Sequence, residues 1–343
     1  MEVNLANLVA NARAIQEVAG GASLLPMVKA DAYGLGAVPV ARALESLAPW
    51  GYGVATLGEA TELRAAAIGR PVVVFTPASI DQLEVYHEHD LTAVLDDPDA
   101  AALWDRPFHL EIDTGMGRCG IRWDVWPALA RFISPHLEGA FTHLSAADDD
   151  PDSVAIQTER FRAALAQLGS RPSLVHVANS AGVWRTAERF DLVRPGLFMY
   201  GGRPGPDLPM PKAVAAVRAR VVSVRELPPG GTVSYGGDWT APEATRVATL
   251  AIGYADGIPR VVQSRAAVLL GGVRRPLVGR VTMDFVMVDV GPGSVVARGD
   301  VATIIGADGR DAITLEEFSA WAGTVSYEIL ARLGRRLHRA YEA

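Results

Sequence analysis

Short apolar, largely β-branched runs recur along the chain at 24–30, 52–56, 71–76, 91–95, 108–113, 137–144, 174–179 and 192–196. Between most of them lie Ala/Leu/Arg/Glu-rich stretches with helical spacing, as at 58–68 and 152–168. Hydrophobicity that is continuous rather than alternating suits strands covered on both faces. Eight strand-then-helix units predict an α/β fold with an N-terminal (β/α)8 barrel; an open doubly wound sheet is the alternative that the same pattern permits. Beyond Tyr200 the texture changes. Gly and Pro crowd 201–211, and apolar runs at 214–225, 246–252, 266–270, 286–290 and 301–305 read as strands separated by turns. The expected organisation is a barrel over residues 1–205 and a smaller, mainly β domain over 206–343, closed by helices near 315–321 and 327–339.

The chain has 343 residues and is 49% hydrophobic, enough for one or two large cores. A net charge of −7 and the lack of any Lys/Arg-rich run remove the footprint of a nucleic-acid binder and favour a small substrate. No apolar run approaches the roughly 20 residues that span a bilayer, and Met1 to Val18 lacks the pattern of a signal peptide, so a cytoplasmic protein without membrane association is expected. The single cysteine, Cys119, reads as a small buried residue in a reducing compartment, and no metal ligand set is expected. Of the 32 basic residues only Lys29 and Lys212 are lysines. Arginine stays protonated and forms no Schiff base, so chemistry that needs a primary amine has two candidates.

In a (β/α)8 barrel the strands' C-terminal ends carry function. The first run ends in Lys29, the sixth in Thr142-His143, the seventh in Asn179-Ser180 and the eighth in Arg194-Pro195-Gly196. Burial at a strand end would depress the Lys29 pKa toward the free amine; a rim lysine in solvent is the plain alternative. The hydroxyl of Ser180 and the amides of Gly196 and Leu197 lie at the two strand ends where barrels often bind phosphate.

The segment Val28-Lys29-Ala30-Asp31-Ala32-Tyr33-Gly34 resembles the pyridoxal-phosphate attachment site of the alanine racemase family. Eight further segments are similar to that family in order and spacing: Asp113-Thr114-Gly115-Met116-Gly117-Arg118, Thr142-His143, Ala178-Asn179-Ser180, Arg194-Pro195-Gly196 with Met199-Tyr200-Gly201, Val233-Ser234-Tyr235-Gly236, Gly253-Tyr254-Ala255-Asp256-Gly257, Gly279-Arg280-Val281 with Met283-Asp284, and Tyr327-Glu328-Ile329. They span nearly the whole chain.

The resemblance implies interconversion of L- and D-alanine, supplying D-alanine for peptidoglycan, with pyridoxal 5'-phosphate held by Lys29 as a Schiff base. Lys29 and Tyr235 become the two bases on opposite faces of the substrate carbon. Tyr33, Ser180 with Asn179 beside it, Gly196, Leu197 and Tyr327 hold the phosphate, His143 stacks on the ring, and Arg194 donates to the pyridine nitrogen. Arg118 contacts the phenolic oxygen and the substrate, and Tyr254, Met283 and Asp284 shape the entrance. A Tyr235–His143–Arg194 chain of hydrogen bonds assists the phenol, and the active sites are shared in a head-to-tail homodimer.

Several positions depart from the family pattern. Glu111 replaces a lysine that carries a carbamate in many relatives, supplying the same charge on a shorter arm toward Arg118. Phe141 stands where a tyrosine is common, and Thr282 and Phe285 flank the Met283-Asp284 pair. The first residues match a point inside the family's first strand, which implies an upstream start and a weakened contact of the β domain with this segment. A serine or broader-specificity racemase, a non-catalytic cofactor carrier and a decarboxylase of related fold are the competing readings; the presence of Tyr235 disfavours the carrier.

Overall fold

Each of the eight apolar runs contributes a strand to one parallel sheet in the computed structural model, which describes residues 1–342 apart from the side chains of Trp126 and Pro127. Ala343, the end of the expected β domain, lies outside the described residues. Contacts group the chain into two units: one of residues 8–199 and 203–211, the other of residues 1–7, 200–202 and everything from Lys212 onward. Relative to a sequential division at 205/206, three short pieces change sides: 1–7 and 200–202 group with the β unit, and 206–211 with the barrel.

The chain opens with β1 (Glu2–Asn4), which belongs to the β unit. The barrel strands follow: β2 (Ser23–Leu24), β3 (Tyr52–Val54), β4 (Val72–Val74), β5 (Thr92–Leu95), β6 (Phe108–Asp113), with a short adjunct β7 (Ile121–Arg122), then β8 (Leu137–Phe141), β9 (Leu174–His176) and β10 (Leu192–Val193). Their order is β2-β10-β9-β8-β6-β5-β4-β3, and a parallel bridge from Met27 to Gly53 joins the two ends. This is the expected barrel rather than the open sheet. Leu25, Val73, Val94, Phe141 and Leu192 pack together inside it. Truncating one of the larger ones, such as Phe141→Ala, costs about 3–5 kcal/mol.

The crossover helices start where local chemistry dictates. Asp150 accepts amides from Asp152 and Ser153 ahead of the helix Pro151–Leu165, and Thr56 and Glu59 form a reciprocal capping box at the helix Leu57–Ala65.

In the β unit a single long strand, β11 (Ala215–Leu227), serves two neighbours. Register shifts at Val217/Arg218 and Val221/Ser223 bend it. The strands after it are β12 (Thr232–Val233), β13 (Trp239–Thr240), β14 (Thr245–Leu250), β15 (Ala267–Leu270), β16 (Val273–Pro276), β17 (Val286–Asp289), β18 (Val301–Asp308), β19 (Asp311–Ile313) and β20 (Ala340–Glu342). The first half of β11 pairs with β18 and the second with β14, while β12 and β13 form a separate hairpin. β1 is paired on both edges, antiparallel to β11 and parallel to β20. The helix expected over 327–339 is shorter, Ser326–Arg332. The Gly334 amide donates to the Asp256 carbonyl at 3.1 Å, and the chain then enters β20. Pairing with β1 overrides the helical spacing of the last residues.

Candidate active site

The chain around Lys29 does not continue as a strand to residue 30, as its apolar run suggested. Ladder pairing of β2 ends at Leu24, and Ala30, Asp31, Ala32 and Tyr33 turn left-handed, with φ between +52° and +55°. A left-handed turn of four non-glycine residues costs roughly 1–2 kcal/mol per residue, so it persists only where its surroundings over-determine it. Ala32 donates to the Val28 carbonyl, Gly34 to Ala30 and Gly36 to Asp31, each at 2.8 Å, and the Asp31 carboxylate accepts the Ala37 amide at 2.9 Å. From outside the turn, Glu59 accepts the Ala30 amide at 2.6 Å.

Lys29 is part-buried beside Arg118, Glu59 and Arg194. Burial, reinforced by the two guanidinium charges and opposed by Glu59, holds its pKa below that of an ordinary lysine. His143 feels the same surroundings. Burial first, then Arg194, Arg118 and Lys29, bring it down to about 3, so its ring is neutral. Gln157, itself buried, fastens this strand end: it donates to the His143 carbonyl at 3.1 Å and to Thr114 Oγ1 at 3.0 Å, and accepts the Ser145 amide at 2.9 Å.

Arg194 is fully buried, and its terminal nitrogens are consumed by the protein. Nη1 donates to His176 Nδ1 at 2.9 Å and to the His176 carbonyl at 3.0 Å; Nη2 donates to the carbonyls of Thr142 at 2.8 Å and Val177 at 3.2 Å. Nε–H makes none of these bonds. Burial, aided by Arg118 and opposed by Glu111, lowers the guanidinium to about 10, still charged at neutral pH.

The imidazole bonded to Arg194 is therefore His176, not the His143 that the family resemblance suggested. A guanidinium has only donors, so His176 Nδ1 must accept, leaving its proton on Nε2 to donate to His109 Nδ1 at 2.9 Å. That in turn puts the His109 proton on Nε2, which is 3.7 Å from Glu138. Phe141 stacks on His176 with an interplanar angle of 10° and a centroid separation of 4.9 Å, and the Arg194 guanidinium lies 5.2 Å from the Phe141 ring centre. The departure to Phe at this position thus supplies an apolar cover. His176 and His109 were missed in the sequence because each is a lone polar residue in an apolar run, with nothing local to mark it.

At the ends of β9 and β10, Ser180 Oγ accepts the Gly196 amide at 2.8 Å, and Asn179 Oδ1 caps the next turn by accepting the Gly182 amide at 2.9 Å. A Cβ on Gly196 would lie 2.5 Å from the Tyr33 hydroxyl. Tyr33, Gly196 and Ser180 thus converge on one cradle that any side chain at 196 would fill, with Leu197 buried next to it. On the opposite flank Glu111, buried, stands 3.9 Å from Arg118, a contact at the limit of an ion pair rather than a hydrogen bond. Burial raises the Glu111 pKa, with Arg118 the main opposing influence.

The β unit holds the other predicted residues. Tyr235 is 71% exposed and opens a short turn after Ser234, whose hydroxyl donates to the Arg280 carbonyl at 2.8 Å. Gly279 is required there: it has φ +68°, and a Cβ would lie 2.7 Å from the Val233 carbonyl. Arg280 forms a two-point ion pair with Asp238 and lies against Gly236. Tyr235, Tyr254, Thr282, Arg260 and Arg280 line one cleft of about 650 Å³. Tyr254 is placed by its amide, which donates to the Thr282 carbonyl at 3.0 Å. Met283 is half exposed, Asp284 accepts from Arg336 at 2.7 Å, and Tyr327 is also exposed. Thr282 and Phe285 close a tight turn around Met283-Asp284, in which the Thr282 hydroxyl donates to the Phe285 carbonyl at 3.0 Å.

A parallel barrel with a part-buried lysine just past its first strand, a buried arginine and a hydroxyl–amide cluster at its last two strands, joined to a β-rich second unit, defines the class as that of an α/β-barrel enzyme with a β domain. Residues 3–204 match the alanine racemase N-terminal domain and residues 214–341 the alanine racemase C-terminal domain. The chain belongs to the alanine racemase family. It is 39% identical to the alanine racemase of Symbiobacterium thermophilum over 99% of this chain and 96% of that protein, and 36% identical to that of Carboxydothermus hydrogenoformans over 99% and 98%. Among solved structures, the alanine racemase of Bacillus anthracis with bound L-Ala-P superposes with a TM-score of 0.93 at 32% identity, covering 100% of this chain and 94% of that one. The alanine racemase of Bartonella henselae with covalently bound pyridoxal phosphate gives 0.92 at 30%, covering 99% and 98%.

Proposed function

We propose that this protein interconverts L- and D-alanine with pyridoxal 5'-phosphate attached to Lys29, using Lys29 and Tyr235 as the two bases. The observation that carries the reading is the part-buried Lys29 four residues before Tyr33, whose hydroxyl closes on the backbone of Gly196 beside the Ser180 hydroxyl; two hydroxyls at a backbone that leaves no room for a side chain suit a phosphate monoester. When bound, the cofactor draws electrons from the substrate's Cα–H bond, so that the proton leaves at neutral pH.

This chain's residues do the rest. Tyr33, Ser180 and the backbone at Gly196 and Leu197 would hold the phosphate, the Gly196 amide exchanging Ser180 Oγ for a phosphate oxygen, with Tyr327 as a further donor. His143, neutral, would pack on the ring. The Arg194 Nε–H is the donor left for the pyridine nitrogen, and because the guanidinium keeps its proton it leaves that nitrogen unprotonated. Arg118 orients the phenolic oxygen and the substrate carboxylate, Glu111 supplying its countercharge. Lys29 holds or gives a proton at Nζ on one face of Cα, and Tyr235 at its hydroxyl on the other. Tyr254, Met283 and Asp284 border the substrate's approach.

Tyr235 and Lys29 lie in different units, and a head-to-tail homodimer in which each β unit serves its partner's barrel supplies both to one site. Among the described residues no helix is long and apolar enough to cross a membrane; with no disulfide cysteine pair in the sequence, we place the enzyme in the cytoplasm, feeding peptidoglycan synthesis.

The test is α-proton exchange of alanine in deuterated water with and without added pyridoxal phosphate, followed by borohydride reduction and peptide mapping. Cofactor-dependent exchange and a pyridoxyl group on Lys29 are expected; the group on Lys212, or on no lysine, overturns the reading. A panel of L-amino acids run alongside separates an alanine racemase from a serine or broad-specificity one. For the shared site, mixed Lys29→Ala and Tyr235→Phe chains should regain about a quarter of wild-type activity, since about half the dimers are mixed and each has one intact site.

A further inference from the structure

Building on that reading, we propose that Glu59 is a positioning residue for the Lys29 amine: its one carboxylate ties the backbone after Lys29 to the end of the neighbouring strand β3. Oε1 accepts the Ala30 amide at 2.6 Å, while Oε2 accepts the amides of Ala55 at 2.7 Å and Thr56 at 3.2 Å. Three backbone donors from two separate loops therefore converge on one side chain. Ala30 opens the left-handed turn, and its amide is the link from that turn to the rest of the barrel nearest to Lys29.

Part of this arrangement is an ordinary helix start. Thr56 accepts the Glu59 amide at 3.3 Å and Glu59 accepts the Thr56 amide, which is a capping box. A capping box uses one carboxylate oxygen. The other, directed at Ala30, has no part in starting the helix Leu57–Ala65.

The donor count separates the two roles. A carboxylate only accepts, and here both oxygens receive backbone N–H groups. In Glu59→Gln the amide oxygen can keep Ala55 and Thr56, but the NH2 then faces the Ala30 N–H, donor against donor. The helix start survives and the tie to the Lys29 segment is lost. Removing the charge also acts on Lys29 in the opposite sense, because Glu59 favours the ammonium form. Loss of charge alone leaves more free amine and speeds condensation, so a slower reaction isolates positioning.

The experiment titrates full-length wild type, Glu59→Gln and Thr56→Ala with pyridoxal 5'-phosphate itself. The amine condenses with the aldehyde, releasing water, and hydride reduction fixes the product for mapping to Lys29. Hydrogen exchange by mass spectrometry over residues 27–36 is recorded in parallel. Glu59→Gln should condense about tenfold more slowly and exchange faster over 27–36, while Thr56→Ala, which breaks only the cap, condenses like wild type. Wild-type or faster condensation in Glu59→Gln overturns the proposal. Equal slowing in Thr56→Ala also overturns it, assigning the effect to the cap. If Glu59→Gln does not fold, Glu59→Asp replaces it: a shorter carboxylate that cannot span both loops should be slow, and a wild-type rate is again decisive against. Wild-type chain with no pyridoxyl on Lys29 is a separate failure, that of the cofactor reading, and the role of Glu59 falls with it.

Discussion

Lys29 and Tyr235, the two bases proposed here, occupy contrasting environments. Lys29 is part-buried at a barrel strand end, held by an over-determined left-handed turn and pressed by Arg118 and Arg194. Tyr235 is 71% exposed on a glycine-rich turn of the β unit beside Arg280. The difference follows from charge type. Desolvation disfavours the charged form, so it frees an amine to act as a base but makes a phenol harder to ionise. The chain illustrates the second half elsewhere: burial pushes the hydroxyls of Tyr52 and Tyr86 far above the ordinary tyrosine value.

The comparison breaks most sharply at Lys29. Lys29→Ala should lower racemisation roughly 10⁴-fold or more in both directions, since anchor and base go together. Turnover of each alanine enantiomer, followed by optical rotation, checks this, and residual activity near wild type would move the anchor to Lys212. Tyr235→Phe should lower racemisation by about 10²–10⁴-fold but leave the Lys29 half intact. The variant should still wash deuterium into one enantiomer and not the other. Equal loss of exchange from both would mean that Tyr235 is not a base on one face.

Glu111→Gln tests the supporting charge. About tenfold slower racemisation is expected, equivalent to ~1.4 kcal/mol, through a misplaced Arg118. Wild-type activity should also be indifferent to dissolved carbon dioxide; a rate in the Gln variant equal to wild type makes Glu111 an ordinary strand carboxylate.

The smallest effect is on stability. His143 and His176 are both held below the ordinary imidazole pKa, His143 at about 3, by burial and then by Arg194. The unfolded chain binds those protons near pH 6.5 and the folded chain does not, so stability is lost as pH falls below 6.5, by at most about 1.4 kcal/mol per pH unit for each imidazole. Urea denaturation at pH 7, 6 and 5 should show this slope, and it should be shallower in His143→Asn. Parallel slopes would show that His143 protonates freely in the folded state.

The periodicity of the chain determined the eight barrel strands, the change to a β-rich second half and the rim position of Lys29, because continuous apolar runs leave little choice of burial. Motif order determined the family. Tertiary structure alone decided the rest, since the groups involved are distant in sequence and meet only through the closure of the barrel. Lys29 stands at the entry to a left-handed turn whose first amide, that of Ala30, finds its acceptor in Glu59 beyond the next strand; Arg194 meets His176 rather than His143 because β9 and β10 are neighbours in parallel register. The final residues likewise carry helical spacing but form β20, because β1 offers an open edge. Hydrophobic spacing is a local property that survives any fold, whereas which donor finds which acceptor depends on the strand order, and no single segment encodes that.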